Sequence, residues 1–239
     1  MFGNINIKLL NIILINLLVV SHPDDEILGF GGTGHKLCSK GEIVQPVILC
    51  GQVLARKQKP IDNDLINDIR KANDYLGFNF PILGDFPNLK FNNVPHIELV
   101  QFIEKQIIQT QPDRIFTHFP NDLNDDHRKV SNACQVAAKL SQRNPLFKPI
   151  KGLYFMEILS STEWSNNQSN LSFNPNIFID ISSSIDKKIK ALSYYRNVMR
   201  EPPHPRSDSV IRSLSIYRGS QIGFKNAEAF QVCFQRNLS

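Results

Sequence analysis

Two short runs of this sequence concentrate side chains that bind metals and move protons. Ser21-His22-Pro23-Asp24-Asp25-Glu26 follows one apolar run, and His118-Phe119-Pro120-Asn121-Asp122-Leu123-Asn124-Asp125-Asp126-His127 follows another far along the chain. Histidine and carboxylate are the usual ligands of a hydrolytic zinc ion, three of them leaving a fourth position for water. His22 and Asp25, three residues apart on a turn into a helix, can face one ion, and His127 at the start of another helix supplies the third ligand. Water bound there has its pKa drawn toward ~7, so a neighbouring carboxylate can take its remaining proton during attack on a carbonyl. Asp24 is placed for that role. Taken alone, His-Pro-Asp-Asp also describes a turn in which Pro sets φ and Asp caps a helix. A matching Asp-Asp-His at the end of a second strand is what a bare turn does not explain.

The elements that must position these loops are visible as alternating patterns. Strand-length apolar runs fall near Ile13-Val20, Ile43-Cys50, Phe80-Leu83, Arg114-Thr117, Gly152-Phe155 and Ile177-Ile181. Helical periods lie between them: from the Asp24-Asp25-Glu26 turn to about Ser39, Ile61-Leu76 closed by Gly77, Val94-Gln109, about His127 to Leu140, Ile185-Met199 and Ser207-Tyr217. Such alternation predicts an α/β fold, a three-layer sandwich with a mostly parallel sheet and helices on both faces. In open sheets of this kind ligands bind beyond the carboxyl ends of the strands, where both loops fall. Ser160-Pro175, rich in Ser and Asn, and the proline-rich Arg200-Ser207 read as loops, the first long enough for a substrate cover. Gly29, Gly31, Gly32 and Gly34 lack a phosphate-loop spacing and are expected to allow close helix packing. No G-x-S-x-G is present to suggest a catalytic serine.

Composition supports one catalytic domain over residues 1–239. Hydrophobic residues make up 41% of the chain and charged residues 21%, as in ordinary globular proteins. The formal charge of +5 comes from scattered groups such as Arg56-Lys57 and Lys187-Lys188, without the basic, aromatic-interleaved run of a nucleic-acid binder. Cys38, Cys50, Cys134 and Cys233 form no C-x-x-C pair, so neither a disulfide framework nor a cysteine metal site is expected. The apolar stretch Ile7-Val20 is broken by Asn11 and Asn16 and leads into His-Pro-Asp-Asp-Glu, which favours a buried first strand over a signal peptide or a membrane span. A cytoplasmic protein without stable membrane insertion is expected. Its oligomeric state is left open.

His-Pro-Asp-Asp-Glu at 22–26, followed by Ile27-Leu28-Gly29 and Gly31-Gly32, resembles the signature of the LmbE-like (PIG-L type) metal-dependent deacetylases. The loop ending in Asp126-His127 is similar to that family's metal-binding histidine loop. Pro203-His204-Pro205-Arg206-Ser207 and the stretch from Arg218-Gly219 through Ala227-Glu228-Ala229-Phe230 resemble the tail of a bacterial branch. The resemblance implies a Rossmann-like fold and removal of acetyl from N-acetylglucosamine-type sugars, free or carried on lipid, glycoside or nucleotide. It implies a divalent ion, zinc or else Fe2+, on His22, Asp25 and His127, with Asp24 as general base and Asp126 orienting its neighbours. Many members carry a second histidine where this chain has Asn124, whose amide can donate to an oxyanion but cannot deliver a proton. His118, His204 or the protonated Asp24 would then serve the leaving amine, with Asp24 favoured. Glu26 is expected to support the helix start or bind substrate, and Arg206 to bind an anionic carrier group. Other metal-assisted amide or ester hydrolysis, or a sugar-binding relative without activity, are the competing readings.

Overall fold

The computed structural model describes residues 13–51, 62–167 and 172–236. Arg56-Lys57, the start of the Ile7-Val20 stretch, Ile61 and the middle of the Ser/Asn loop lie outside the described residues. In chain order the elements are β1 (Ile15–Val20), α1 (Asp25–Ser39), β2 (Ile43–Ile48), α2 (Asp62–Leu76), β3 (Ile82–Leu83), α3 (His96–Thr110), β4 (Arg114–His118), α4 (Asp125–Ala137), α5 (Leu140–Arg143), β5 (Gly152–Met156), β6 (Ile177–Asp180), α6 (Ile185–Leu192), α7 (Asp208–Ser220) and β7 (Ala227–Gln235).

Side chains of a strand point alternately to opposite faces, and β1 shows why its run is apolar throughout. Leu18 and Val20 enter a core with residues of α1, α2, α6 and α7, whereas Leu17 and Val19 enter a second core with α3 and α4. A strand covered by helices on both sides needs apolar residues at every position. The seven strands form one sheet in the order β3-β2-β1-β4-β5-β7-β6. Every neighbouring pair is parallel except those made by β7, which runs antiparallel to both β5 and β6. The α/β, mostly parallel architecture is therefore as the sequence predicts. From β1 the chain builds outward through β2 and β3, then returns to add β4 and β5 on the other side. The crevice at this reversal opens between the carboxyl ends of β1 and β4, the place where such folds bind ligands.

Three differences from the expected elements have physical causes. β7 is a strand that the apolar-run reading does not include. It pairs Phe234 with Leu153 and Val232 with Tyr154, leaving Cys233 as an extra residue. The bulge sends Phe234 to the α3/α4 core and Val232 to the other. The helix expected over Ile185-Met199 ends at Leu192: the Ser193 hydroxyl donates back to the Lys190 carbonyl at 2.7 Å, and Asn197 takes a left-handed φ of 62°. The helix expected near His127 to Leu140 begins at Asp125 and breaks after Ala137, with Leu140–Arg143 as a separate turn.

Close packing accounts for the glycines of α1. A Cβ on Gly29 would lie 2.5 Å from the Met156 sulfur, and one on Gly32 2.9 Å from Ile181. Among the described residues, no helix is long and apolar enough to cross a membrane.

Candidate metal centre

Parallel pairing brings Val19 opposite Thr117, so the chain leaves β1 and β4 side by side. Ser21 N–H donates to His118 Nε2 at 2.8 Å, joining the two exits. That bond places the imidazole proton on Nδ1, which finds no protein partner among the described residues. The His118 ring is wholly buried and stacks on His127, with centroids 3.9 Å apart. Burial, with the neighbouring His127 adding to it, holds its pKa well below the ordinary histidine value. A neutral, inaccessible imidazole is a support for the turn. His118→Phe keeps the shape but orphans the Ser21 amide, so a loss of ~1–3 kcal/mol in denaturant unfolding is expected.

Beyond Ser21 the chain turns into α1, whose positive end favours the carboxylates of its first turn. Asp25 Oδ2 accepts the His22 N–H at 3.0 Å and lies 3.2 Å from His22 Nδ1 and 3.3 Å from His127 Nε2. One ligand atom from each of His22, Asp25 and His127 falls within 4.8 Å of the others. The far nitrogens of both histidines are also engaged. His22 Nε2 is 2.9 Å from Asp126 Oδ2, and His127 Nδ1 is 3.2 Å from Asp122 Oδ1. Histidine ligands with carboxylates behind them have their tautomer and orientation fixed. Donor type, spacing and backing thus fit a divalent cation with one carboxylate and two imidazoles.

Against burial, the converging carboxylates shift both histidines in the same direction. Burial works against a charged His127, but the Asp25 charge and hydrogen bonds to Asp122 and Asp25 prevail and raise its pKa to about 10. Burial likewise opposes protonation of His22, which Asp126 and Asp25 nevertheless raise. Asp25, though burial disfavours its charge, is held well below the usual carboxylate range by His127 and His22. Both histidine shifts favour the protonated imidazole beside the converging carboxylates.

Residues 17–138 match the family described as PIG-L: GlcNAc-PI de-N-acetylase. The chain belongs to that family. No curated protein matches the sequence. Among solved structures, the PIG-L chain is similar to the conserved protein TT1542 from Thermus thermophilus, at 23% identity and a TM-score of 0.75, over 93% of this chain and 96% of that one. It is similar to GalB, the 4-carboxy-2-hydroxymuconate hydratase from Pseudomonas putida, at 18% identity and 0.76, over 95% and 99%. It is also similar to N,N'-diacetylchitobiose deacetylase from Pyrococcus horikoshii, at 18% identity and 0.76, over 91% and 83%. At these identities the shared property is the fold.

In this PIG-L chain two of the three expected ligands, His22 and His127, line a cleft of about 210 Å³ whose wall also includes Asp24, Asn124, Ser160, Ser161 and Arg206, and the third, Asp25, is buried against both histidines. Asp24 is buried, and its Oδ2 accepts from Arg206 Nη1 at 2.8 Å. Its φ of 103° lies in a region costing roughly 1–3 kcal/mol for a side-chain-bearing residue, a strain typical of functional positions. Asn124 caps α4, its Oδ1 accepting the Asp126 N–H at 3.0 Å. Arg206 is held by Ser160 Oγ at 3.0 Å from its Nε, and its backbone N–H donates to Nδ1 of the exposed His204. Asp126 sits behind His22 and accepts from the backbone N–H of Leu89 and Phe91, at 2.6 and 3.1 Å. Glu26 does not reach the cleft wall: it is fully buried below Asp24, and burial, with the Asp24 charge, pushes it to about 7 against hydrogen bonds from Tyr195 and Asn73.

From the sequence, Asp122 is expected to shape its loop by an Asx-type bond. That bond exists, from Asn124 N–H at 2.8 Å, but Asp122 also backs His127 and accepts from Ser161 and Thr162 at the head of the Ser/Asn loop. Asp122→Asn should weaken metal binding about 10–100-fold with the fold intact, as measured by competition with a chelating dye.

Proposed function

We propose that this protein hydrolyses the acetamide of an N-acetyl amino sugar, with His22, Asp25 and His127 holding a divalent ion, zinc or alternatively Fe2+. The observation that carries this reading is the His22–Asp25–His127 cluster, with His22, His127 and Asp24 on one cleft wall, in a chain of the de-N-acetylase family. A divalent ion held there would supply Lewis acidity, lowering the pKa of a bound water toward ~7 and polarising a carbonyl oxygen.

The chain's own groups do the rest. Asp24 takes a proton from the attacking water as it adds to the acetyl carbon. Asn124, whose amide oxygen is committed to capping α4, turns its N–H2 donors to the oxyanion. The C–N bond breaks, Asp24 returns the proton to the departing nitrogen, and acetate and a free amine result. His118 is wholly buried and burial lowers its pKa, which supports Asp24 over His118 for that last transfer. Arg206 fixes the Asp24 carboxylate and presents a guanidinium to an anionic carrier group, with His204 supporting the Arg206 backbone.

Metal-loaded protein should release acetate from at least one of a panel of free, glycosidic, lipid-linked and nucleotide-linked N-acetyl amino sugars. No release from any of them with the ion bound would overturn the reading, and release from O-acetyl analogues alone would make it an esterase. GalB, a hydratase on the same fold, supplies a further arm: water addition to an unsaturated acid, read as loss of its ultraviolet absorption.

A further inference from the structure

The left-handed backbone of Asp24 is held from beneath by side chains that never touch the cleft. Glu26 Oε2 accepts the Asp24 N–H at 2.9 Å. Its other oxygen, Oε1, accepts the Tyr195 hydroxyl and, at 3.1 Å, the Asn73 Nδ2. The same Asn73 nitrogen donates to the Ile69 carbonyl at 2.9 Å, so α2's own backbone sets the direction of its amide. Tyr195 comes from the turn that follows α6, where the shortened helix delivers its ring inward. All three side chains are buried, with Glu26 and Asn73 fully inaccessible and Tyr195 exposed by 2%. A helix and a turn distant in sequence therefore converge on one carboxylate, and that carboxylate grips the amide of the residue with φ of 103°.

A core built only for stability has no need of this arrangement, since an apolar cluster of the same volume avoids burying an acid. What the arrangement does provide is a fixed direction. The Asp24 side chain can face the ion and the water only while its backbone stays in the left-handed region, and a strained state persists where its surroundings over-determine it.

We propose that Glu26, Tyr195 and Asn73 form a brace that sets the Asp24 carboxylate in register with the attacking water, Glu26 as a positioning residue and the other two acting through it. The inference rests on the base role given to Asp24 above. Tyr195→Phe keeps the ring but removes one of the two donors that fix Glu26 Oε1, so the carboxylate can rotate away from the Asp24 amide. Glu26→Gln is more severe, because its oxygen can occupy only one of the two acceptor positions and its N–H2 then faces either the Asp24 N–H or the Asn73 N–H2. A displacement of about 1 Å at a reacting group costs on the order of 100-fold in rate.

The test uses the metal-loaded full chain and two readouts. Hydrogen exchange at the Asp24 amide, measured without substrate, should accelerate at least about tenfold in Tyr195→Phe and further in Glu26→Gln. On whichever N-acetyl sugar releases acetate, kcat of Tyr195→Phe should fall about 10–100-fold with KM and metal content near wild type. Val198→Ala, which trims a buried residue of the same core, should lower stability and leave both readouts unchanged. Unchanged exchange in Tyr195→Phe overturns the brace, whether or not any substrate is found. Faster exchange with unaltered kcat, or equal changes in Val198→Ala, reduces the cluster to ordinary packing and overturns the positioning role.

Discussion

Asp24→Asn should lower kcat by about 1,000-fold, within the range general bases contribute, while the protein keeps its metal. Asparagine matches aspartate in shape, and its amide oxygen can still accept from Arg206 Nη1, which lies 2.8 Å from Oδ2. Its backbone N–H still meets Glu26. The three ligand atoms of His22, Asp25 and His127 lie on other residues and need not move. On the proposed mechanism, what disappears is the acceptor for the proton of the attacking water and the donor for the leaving nitrogen. A 1,000-fold loss corresponds to about 4 kcal/mol of transition-state stabilisation. Acetate release and metal content measured on one preparation decide the matter. If the metal is lost, Asp24 is a ligand rather than the base; if kcat falls less than about tenfold, another group accepts the proton.

How far such roles can be read without coordinates depends on whether a signal is local. β1 is legible because a strand covered on both faces must be apolar throughout, and Leu17, Leu18, Val19 and Val20 are. The His-Pro-Asp-Asp-Glu turn is legible because a histidine and carboxylates gathered at the end of such a strand have few other uses, and His22 and Asp25 do converge with His127. β7 carried a partial signal: Phe230, Val232 and Phe234 alternate with Gln231, Cys233 and Gln235. Its opening residues obscure it, because Glu228 is an acid inside a strand. There it accepts from Gly32 and Thr33 N–H and from the Lys188 ammonium, partners brought by α1 and α6. Asp122 was half legible, since one loop aspartate both caps its own turn and backs His127. Tyr195 offered nothing, because only the end of α6 at Leu192 and its packing on α1 and α2 carry its hydroxyl to Glu26. Residues that act through the fold's long-range contacts are invisible to any window along the chain.

Metal binding should expel protons at neutral pH, and its strength should climb with pH. In the metal-free protein the His127 pKa stands at about 10, against an ordinary value of 6.5, with Asp25 and Asp122 as the groups that outweigh burial. A proton bound more tightly in the folded than the unfolded chain stabilises the fold below the unfolded pKa, and that contribution is lost as pH rises through the folded one. The metal-free protein should therefore lose thermal stability between about pH 6.5 and 10, most of it gone at the upper end. A cation on His127 Nε2 must displace the same proton, so its apparent affinity should rise about tenfold per pH unit up to that limit, and more steeply where His22 is protonated as well. Titration calorimetry near pH 7.5 in buffers of different ionisation enthalpy should count about one proton released per ion, or more with the His22 contribution. His127→Ala removes both the ligand and the proton. Its metal affinity should fall by at least about 1,000-fold and its acetate release with it, while the metal-free variant should lose most of the stability change above pH 6.5. Tight binding with no proton release in the wild type would mean that the ion does not sit on His127. Asp25 and Asp122 would then be holding a charged histidine for the fold alone, and the centre would have to be sought elsewhere on the cleft wall.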